Sequence, residues 1–329
     1  MNRFGTNFSI SIFGESHGPA VGVVIDGIPA GIELSENDFT DDILRRSPSL
    51  KGTTSRKEKD IPKIISGVFN SRTTGAPLTI LFENEETKPS DYEQIKNIPR
   101  PGHADFTAYN KYNGFNDYRG GGHFSGRLTL PLVAAGVIAK KIIHPMEISA
   151  SISEIGGMTE YGELIDQCVS DGDSLGGTIK CAARNIPVGL GEPFFNSVES
   201  LIAHLVFSIP GVKGIEFGSG FKTAKMKGSQ VNDIISDISG KTATNHAGGI
   251  NGGITNGNMI TFNVAFKPAS SISINQKSID LTTGHATELS VSGRHDLCFV
   301  LRTPVIVEAV TAIVLADLLS VQKETKQYH

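Results

Sequence analysis

The chain has no tryptophan, only three cysteines, and a charged fraction of 19%, low for a soluble protein of 329 residues. Each shortage excludes something. Cys168, Cys181 and Cys298 are odd in number and widely spaced. That predicts neither a disulfide framework nor a zinc cluster, but reduced thiols of a cytoplasmic protein. A net charge of −4 gives no reason to expect nucleic acid or an anionic membrane surface as a partner. No apolar run is expected to approach a membrane span, and the polar N-terminus lacks a signal peptide's apolar region. The histidines fall at no metal-ligand spacing, and no Gly-x-Ser-x-Gly elbow marks a serine hydrolase.

Glycine is what the chain has in plenty, 37 in all, and glycine keeps company with histidine. Six of the nine histidines lie within two residues of a glycine. The segments are Gly14-Glu15-Ser16-His17-Gly18, Pro101-Gly102-His103-Ala104-Asp105, Gly120-Gly121-Gly122-His123, Asn245-His246-Ala247-Gly248-Gly249, Gly284-His285 and Gly293-Arg294-His295-Asp296. Glycine opens the main chain to close approach, and histidine titrates near neutrality. Repeated together, they predict one polar ligand cavity built from many loops.

Length allows one or two domains, and no low-complexity linker divides the chain, so a single domain over 1–329 is expected. Strands are predicted at Phe8–Phe13, 63–69, 77–83 and Ile260–Phe266. Helices are predicted at Ser35–Arg46, with Asp38 at the capping-box spacing from Ser35, and at Leu128–Ile143, Val198–Phe207 and Pro304–Ser320. The spacing of a parallel βαβ sheet is absent, so the class is α+β. Ile28-Pro29-Ala30-Gly31 and Ile186-Pro187-Val188-Gly189, about half a chain apart, either mark internally duplicated halves or are two coincident turn signals.

Five segments carry candidate chemistry, each with a plainer alternative. His17, framed by glycines after a strand, is placed as a general acid or caps a turn. Asp105, two residues from His103, orients an imidazole or holds an arginine, unless the Pro-Gly pair is only a turn. Gly120–Gly122, flanked by Arg119 and Arg127 at a helix start, presents amides to an anion or is a loose loop. Arg294, His295 and Asp296 place a clamp, a titrating group and a base together, or form a solvated turn. The basic group Arg45, Arg46, Lys51, Arg56, Lys57 and Lys59 is a solvated face, or holds two members for a phosphate or carboxylate.

Taken together these loops resemble the chorismate synthase family. The resemblance rests on Gly14–Gly18, Arg100–Asp105, Asp117–Gly122, Asn245–Ile250, Lys267–Ile272 and Gly293–Asp296, six motifs in the family's order running to about Leu319. It implies antiparallel sheets sandwiching helices and a homotetramer. The implied reaction is loss of phosphate and a ring hydrogen from 5-enolpyruvylshikimate 3-phosphate, a 1,4-elimination that requires reduced FMN without net redox change. The resemblance makes His17, His103 and Asp296 catalytic. His17 protonates the departing phosphate, His103 protonates reduced flavin, and Asp296 assists removal of the ring hydrogen. Flavin contacts would come from His123, Phe124, Ser125, Gly252, Lys267, Pro268, Ala269, Ser270, Ser271 and Arg294. Substrate contacts would come from Arg45, Arg46, Arg127 and Arg294. Many members carry Arg-Ser where this chain has His123-Phe124, an arginine at the position of Ser47, and a glutamate at that of Leu128. Some members also reduce their flavin with NADPH, which the motifs leave open. Two other readings stay open: a flavin- or phosphate-binding protein that has lost catalysis, and a flavoenzyme that transfers hydride.

Overall fold

The computed structural model describes residues 2–326 except 55, 57, 88–91, 94 and 292–295. Apolar residues alternating with polar ones build the first sheet. Its strands are β1 (Arg3–Phe4), β2 (Ser9–Gly14), β3 (Ala20–Asp26), β4 (Lys63–Ser66) and β5 (Leu78–Glu83), in the order β1-β2-β3-β5-β4. Every pairing is antiparallel. Val21, Val23 and Ile25 on β3 and Leu78, Ile80 and Phe82 on β5 are fully buried, the period-2 pattern of a sheet with one covered face. The region 63–69 breaks at Gly67, whose φ of 85° turns the chain, and Val68–Phe69 pairs with Arg72–Thr73 in a separate hairpin.

Ser35 opens a single 3-10 turn that runs into α1 (Thr40–Arg46), and the Asp38 carboxylate accepts from Ser35 N at 2.7 Å, as the capping-box spacing predicts. Next come α2 (Asp105–Lys111) and α3 (Thr129–Ile143). The second sheet contains β6 (Glu147–Ile155), β7 (Gly177–Arg184), β8 (Val212–Phe217) and β9 (Ile260–Phe266), all antiparallel in the order β8-β9-β7-β6. Helices α4 (Gly162–Asp171), α5 (Val198–Val206) and α6 (Pro304–Lys326) are the longer helices that follow α3. The class is mixed helix and sheet.

Helix α3 packs on the first sheet and on α6, and α6 packs on β6, β7 and α5. One cluster of buried apolar side chains runs from Phe8 to Leu318. Pro304–Lys323 is long and apolar enough to cross a membrane by length and composition, contrary to the expectation from sequence. Its apolar surface is spent inside the fold, with 78% of the apolar window buried. The helix also carries Glu308, which accepts from both terminal nitrogens of Arg45 at 2.7 Å, Lys140 Nζ at 3.1 Å and Ala150 N at 2.9 Å. A buried carboxylate persists only when satisfied in this way.

A Cβ on Gly136 of α3 would collide with the Cβ of Ala309 on α6. Gly136→Ala gains about 1 kcal/mol of helix propensity. Overpacking the helix pair costs about 1–3 kcal/mol. A net loss of stability is expected, read as a lower Tm in calorimetry.

The two Ile-Pro-x-Gly turns have matching hydrogen bonds. Thr73 Oγ1 donates to Pro29 O (2.7 Å) and accepts from Ile32 N (2.9 Å), while Gly31 N donates to Thr73 O (2.8 Å). Thr255 Oγ1 donates to Pro187 O (2.6 Å) and accepts from Leu190 N (2.9 Å), while Gly189 N donates to Thr255 O (2.9 Å). The first turn lies between β3 and α1, the second between β7 and α5.

Candidate active site

The loops converge on a cavity of about 740 Å³, inside the ~300–1,000 Å³ range of ligand pockets. Its polar wall comes from Arg100, residues 102–104, Gly120, residues 123–126 and 267–271, with Asp296 and Arg302. Six cationic side chains line it (Arg3, Arg46, Arg100, Lys213, Lys267, Arg302), against the single carboxylate of Asp296 among the described lining residues. A protein of net charge −4 therefore holds a strongly positive interior site, which favours an anionic ligand.

Gly120, Gly121 and Gly122 all have positive φ (58°, 79° and 52°). A Cβ on Gly120 would collide with the His17 ring. A Cβ on Gly121 would stand 3.4 Å from Cε1 and Nε2 of His103. One glycine turn thus lies against two imidazoles, at consecutive residues.

His17, just beyond β2, is 6% exposed. Its Nδ1 is buried without a hydrogen-bond partner among the described residues, and Tyr92 packs edge-on with ring centroids 4.8 Å apart. Burial, with the positive charges of Arg56 and Arg119, pushes its pKa down to about 4. The imidazole is neutral at pH 7 in the free protein.

His103 stands just before α2, with Nδ1 2.6 Å from Asp105 Oδ1. That contact makes Nδ1 the donor and leaves Nε2 toward Gly121. Asp105 also accepts from Arg100 Nε (2.7 Å) and Nη2 (2.8 Å). It therefore both orients the imidazole and holds an arginine. Burial lowers the pKa of His103 and the Asp105 bond opposes it. Burial works against ionisation of Asp105, but the hydrogen bonds from Arg100 and His103 win and hold it well below the usual carboxylate range.

A second charged group lies under the turn. Asp60 is buried, accepts from Arg127 Nη1 through Oδ1, and accepts from Arg46 Nη1 through Oδ2 at 3.3 Å. Arg46 also donates to Thr129 Oγ1 (3.0 Å) and Gly126 O (3.3 Å). Burial, then the charges of Arg302 and Arg127, push Arg46 down to about 9. Asp296 accepts from Thr54 N (2.9 Å) and Arg302 Nη2 (2.5 Å). Three arginines thus share two carboxylates, leaving an unbalanced positive charge beside the cavity.

The chorismate synthase family model matches residues 8–320. A chorismate synthase from Chitinophaga pinensis is 57% identical over 328 residues, covering 99% of each chain. The chain belongs to the chorismate synthase family. A relative of the same name from Korarchaeum cryptofilum is 44% identical, covering 95% of this chain and 96% of its own. A solved structure described as the crystal structure of chorismate synthase aligns with a TM-score of 0.75 at 27% identity, covering 99% of this chain and 98% of its own. Membership makes the protein a lyase.

Most residues that the family motifs single out reach the cavity. His103, His123, Phe124, Ser125, Lys267, Pro268, Ala269, Ser270, Ser271, Arg46 and Asp296 line it. His17 lies just behind Gly120, and Arg127 reaches Arg46 through Asp60. Two do not gather there. Arg45 is held by Glu308, and Gly252 sits at the tip of the hairpin of Ile250–Asn251 and Ile254–Thr255. Arg294 lies outside the described residues. Of the basic group, Arg46 and Arg56 turn inward, Arg56 to Ser16 and Glu58. Lys51 and Lys59 form exposed pairs with Asp166 and Glu85, and Lys57 lies outside the described residues. Sequence reasoning missed Asp60, Asn84 and Arg302. Asp60 and Asn84 meet partners 14 to 69 residues away in the chain, and Arg302 meets Asp296 six residues before it at no recognised motif spacing, so no local pattern signals them.

Proposed function

We propose that this cavity binds reduced FMN and 5-enolpyruvylshikimate 3-phosphate and eliminates phosphate and a ring hydrogen, anti and 1,4, to give chorismate. This is the last common step of aromatic amino acid biosynthesis. The carrying observation is the single glycine turn set against two imidazoles, His17 buried and His103 partly buried, beside a cationic cavity. The flavin fits the residues present. Gly121 leaves the backbone open beside His103, the cavity has room for two ligands, and the lining cations suit a flavin phosphate.

When bound, reduced FMN supplies transient electron density that eases loss of phosphate and is recovered with the hydrogen. The ring C–O bond breaks and its electron pair leaves with phosphate, while the ring C–H bond breaks, its hydrogen leaving as a proton and its electron pair forming the new ring double bond, with no net oxidation. Arg46, steadied by Asp60 together with Arg127, and Arg302 hold the anionic substrate. A phosphate dianion against His17 raises its pKa, so the imidazole gains a proton and passes it to the departing oxygen. His103, its Nδ1 fixed by Asp105, holds or delivers a proton at Nε2 toward the flavin. Lys267–Ser271 and the backbone of 123–125 orient that cofactor. Asp296, fixed by Thr54 N and Arg302, supports removal of the ring hydrogen. Arg45 serves the core through Glu308 in this reading, and Gly252 and Arg294 remain assigned to the flavin by family motif alone.

The same reading takes the chain as one domain, with two sheets sandwiching the α3–α6 layer and duplicated halves. The matching threonine-locked turns, and the equivalent strand orders β2-β3-β5-β4 and β6-β7-β9-β8, support duplication. Apolar side chains left in solvent, Phe194 (85% exposed), Phe195 (89%) and Phe221 (82%) among them, support self-association, and the count of four comes from the family resemblance. A cytoplasmic location fits three free, buried cysteines. NADPH-driven flavin reduction is a question for assay.

Anaerobic protein with reduced FMN and this phosphate ester should release inorganic phosphate and form chorismate. Absence of phosphate release would sink the reading. A further expectation concerns His123, whose Nδ1 lies 2.8 Å from Gly14 O. Asparagine can place an N–H near that atom and alanine cannot. His123→Ala should weaken reduced FMN binding about tenfold, from ~1.4 kcal/mol of lost hydrogen bond. His123→Asn should stay within about threefold of the parent, read by anaerobic flavin titration.

A further inference from the structure

The His17 imidazole is packed by Tyr92 and Gly120 rather than held by a hydrogen bond at Nδ1 among the described residues. Ring placement therefore depends on how the loop backbone is held. Three ties reach that backbone before His17. His123 meets Gly14 O, Ser16 N donates to Gly122 O at 3.1 Å, and Arg56 Nη2 donates to Ser16 O at 3.2 Å. The fourth tie spans the histidine. Asn84, immediately after β5, donates through Nδ2 to Glu15 O (3.0 Å) and to Gly18 O (2.8 Å). These carbonyls lie two residues before His17 and one after it.

We infer that Asn84 is a positioning residue for His17, clamping its loop and tying it to the buried arginine cluster. The amide orientation follows from its partners. Two carbonyls only accept, so Nδ2 must face them, and Arg127 Nε only donates, so Oδ1 must face it. Asn84 Oδ1 accepts from Arg127 Nε at 2.9 Å, and Asn84 N donates to Pro19 O at 3.0 Å. Through Arg127 and Asp60 the clamp continues to Arg46 on the cavity wall. The acid and the anion-binding arginines are thereby held in one hydrogen-bonded frame. A misplacement of about 1 Å costs about 10²-fold in rate, so the clamp sets turnover more than ligand affinity.

The inference rests on His17 being the acid, and a double-mutant cycle separates the two claims. Asn84→Ala should lower kcat about 30–100-fold, with the Kd of reduced FMN changed less than about threefold. In a His17→Ala background the same change should cost less than about threefold. Equal losses in both backgrounds, or a parallel loss of flavin affinity, would overturn the clamp. Asn84→Asp guards against misfolding, because it keeps size and the Arg127 contact but loses both donations. It should fall in kcat as Asn84→Ala does, and wild-type turnover would refute the inference. The His17 imidazole resonances give a readout without turnover. They should shift in Asn84→Asp, beyond any change in the pKa of the ring, and unchanged resonances would count against the clamp. If His17→Ala is as active as wild type, the reading of the acid fails, and those resonances alone decide the clamp.

Discussion

His17→Ala is expected to lower kcat by about 10²–10⁴-fold, the usual worth of a positioned general acid, while the Kd of reduced FMN moves less than about threefold. The geometry sets that split. His17 lies behind Gly120, whereas His103 and Lys267–Ser271 form the wall assigned to the flavin. Loss of flavin affinity in step with turnover would make His17 a binding residue. The pKa gives an independent check. With the free-protein value held down to about 4 by burial and by Arg56 and Arg119, the ring enters neutral. A bound phosphate dianion raises that value, so substrate binding takes up a proton at pH values between about 4 and the raised value. Binding enthalpy should then vary with the ionisation enthalpy of the buffer. The stability sign also follows. The folded pKa lies below the unfolded 6.5, so this contribution is complete above pH 6.5 and is lost as pH falls toward 4.

Asp60→Asn is expected to be the most destabilising single change at the site. It leaves Arg46 and Arg127 buried beside each other without their shared carboxylate. Breaking a buried pair from one side costs about 3–5 kcal/mol, or roughly 5–10 °C in Tm. Asparagine keeps the shape and tolerates the φ of 51° at this position, so the loss isolates charge. Arg46, already pushed down to about 9, loses its counter-charge. Added phosphate should recover part of the stability by binding at the cavity wall beside the uncompensated charge of Arg46. An unchanged Tm would mean that Thr129, Gly126 and Asn84 hold the arginines unaided.

Arg45 and Arg46 show how far the sequence could be read. They are neighbours in one basic run, and both match family positions for substrate contact. A helix turns about 100° per residue, so consecutive side chains part. Arg46 goes to Asp60 and the cavity, Arg45 to Glu308 in the α6 layer. The run marked the right place and could not choose the face. Elements with strong local signals are where they were expected: β9 at Ile260–Phe266, the Ser35 cap, and α3 after the glycine turn. The helix read as Pro304–Ser320 continues to Lys326, because its polar end adds no apolar signal. Asp60 and Asn84 were illegible for a physical reason. Their partners, Arg127 and the His17 loop, are brought to them only by the packing of β5 against the turn before α3.

The proposed elimination needs reduced flavin yet spends none. The decisive measurement is the amount of phosphate released per equivalent of reductant, with anaerobic, pre-reduced FMN at catalytic concentration. Many phosphates per flavin, with the flavin still reduced at the end, is the predicted result. One equivalent of flavin oxidised per phosphate released would contradict it and make the protein a redox enzyme.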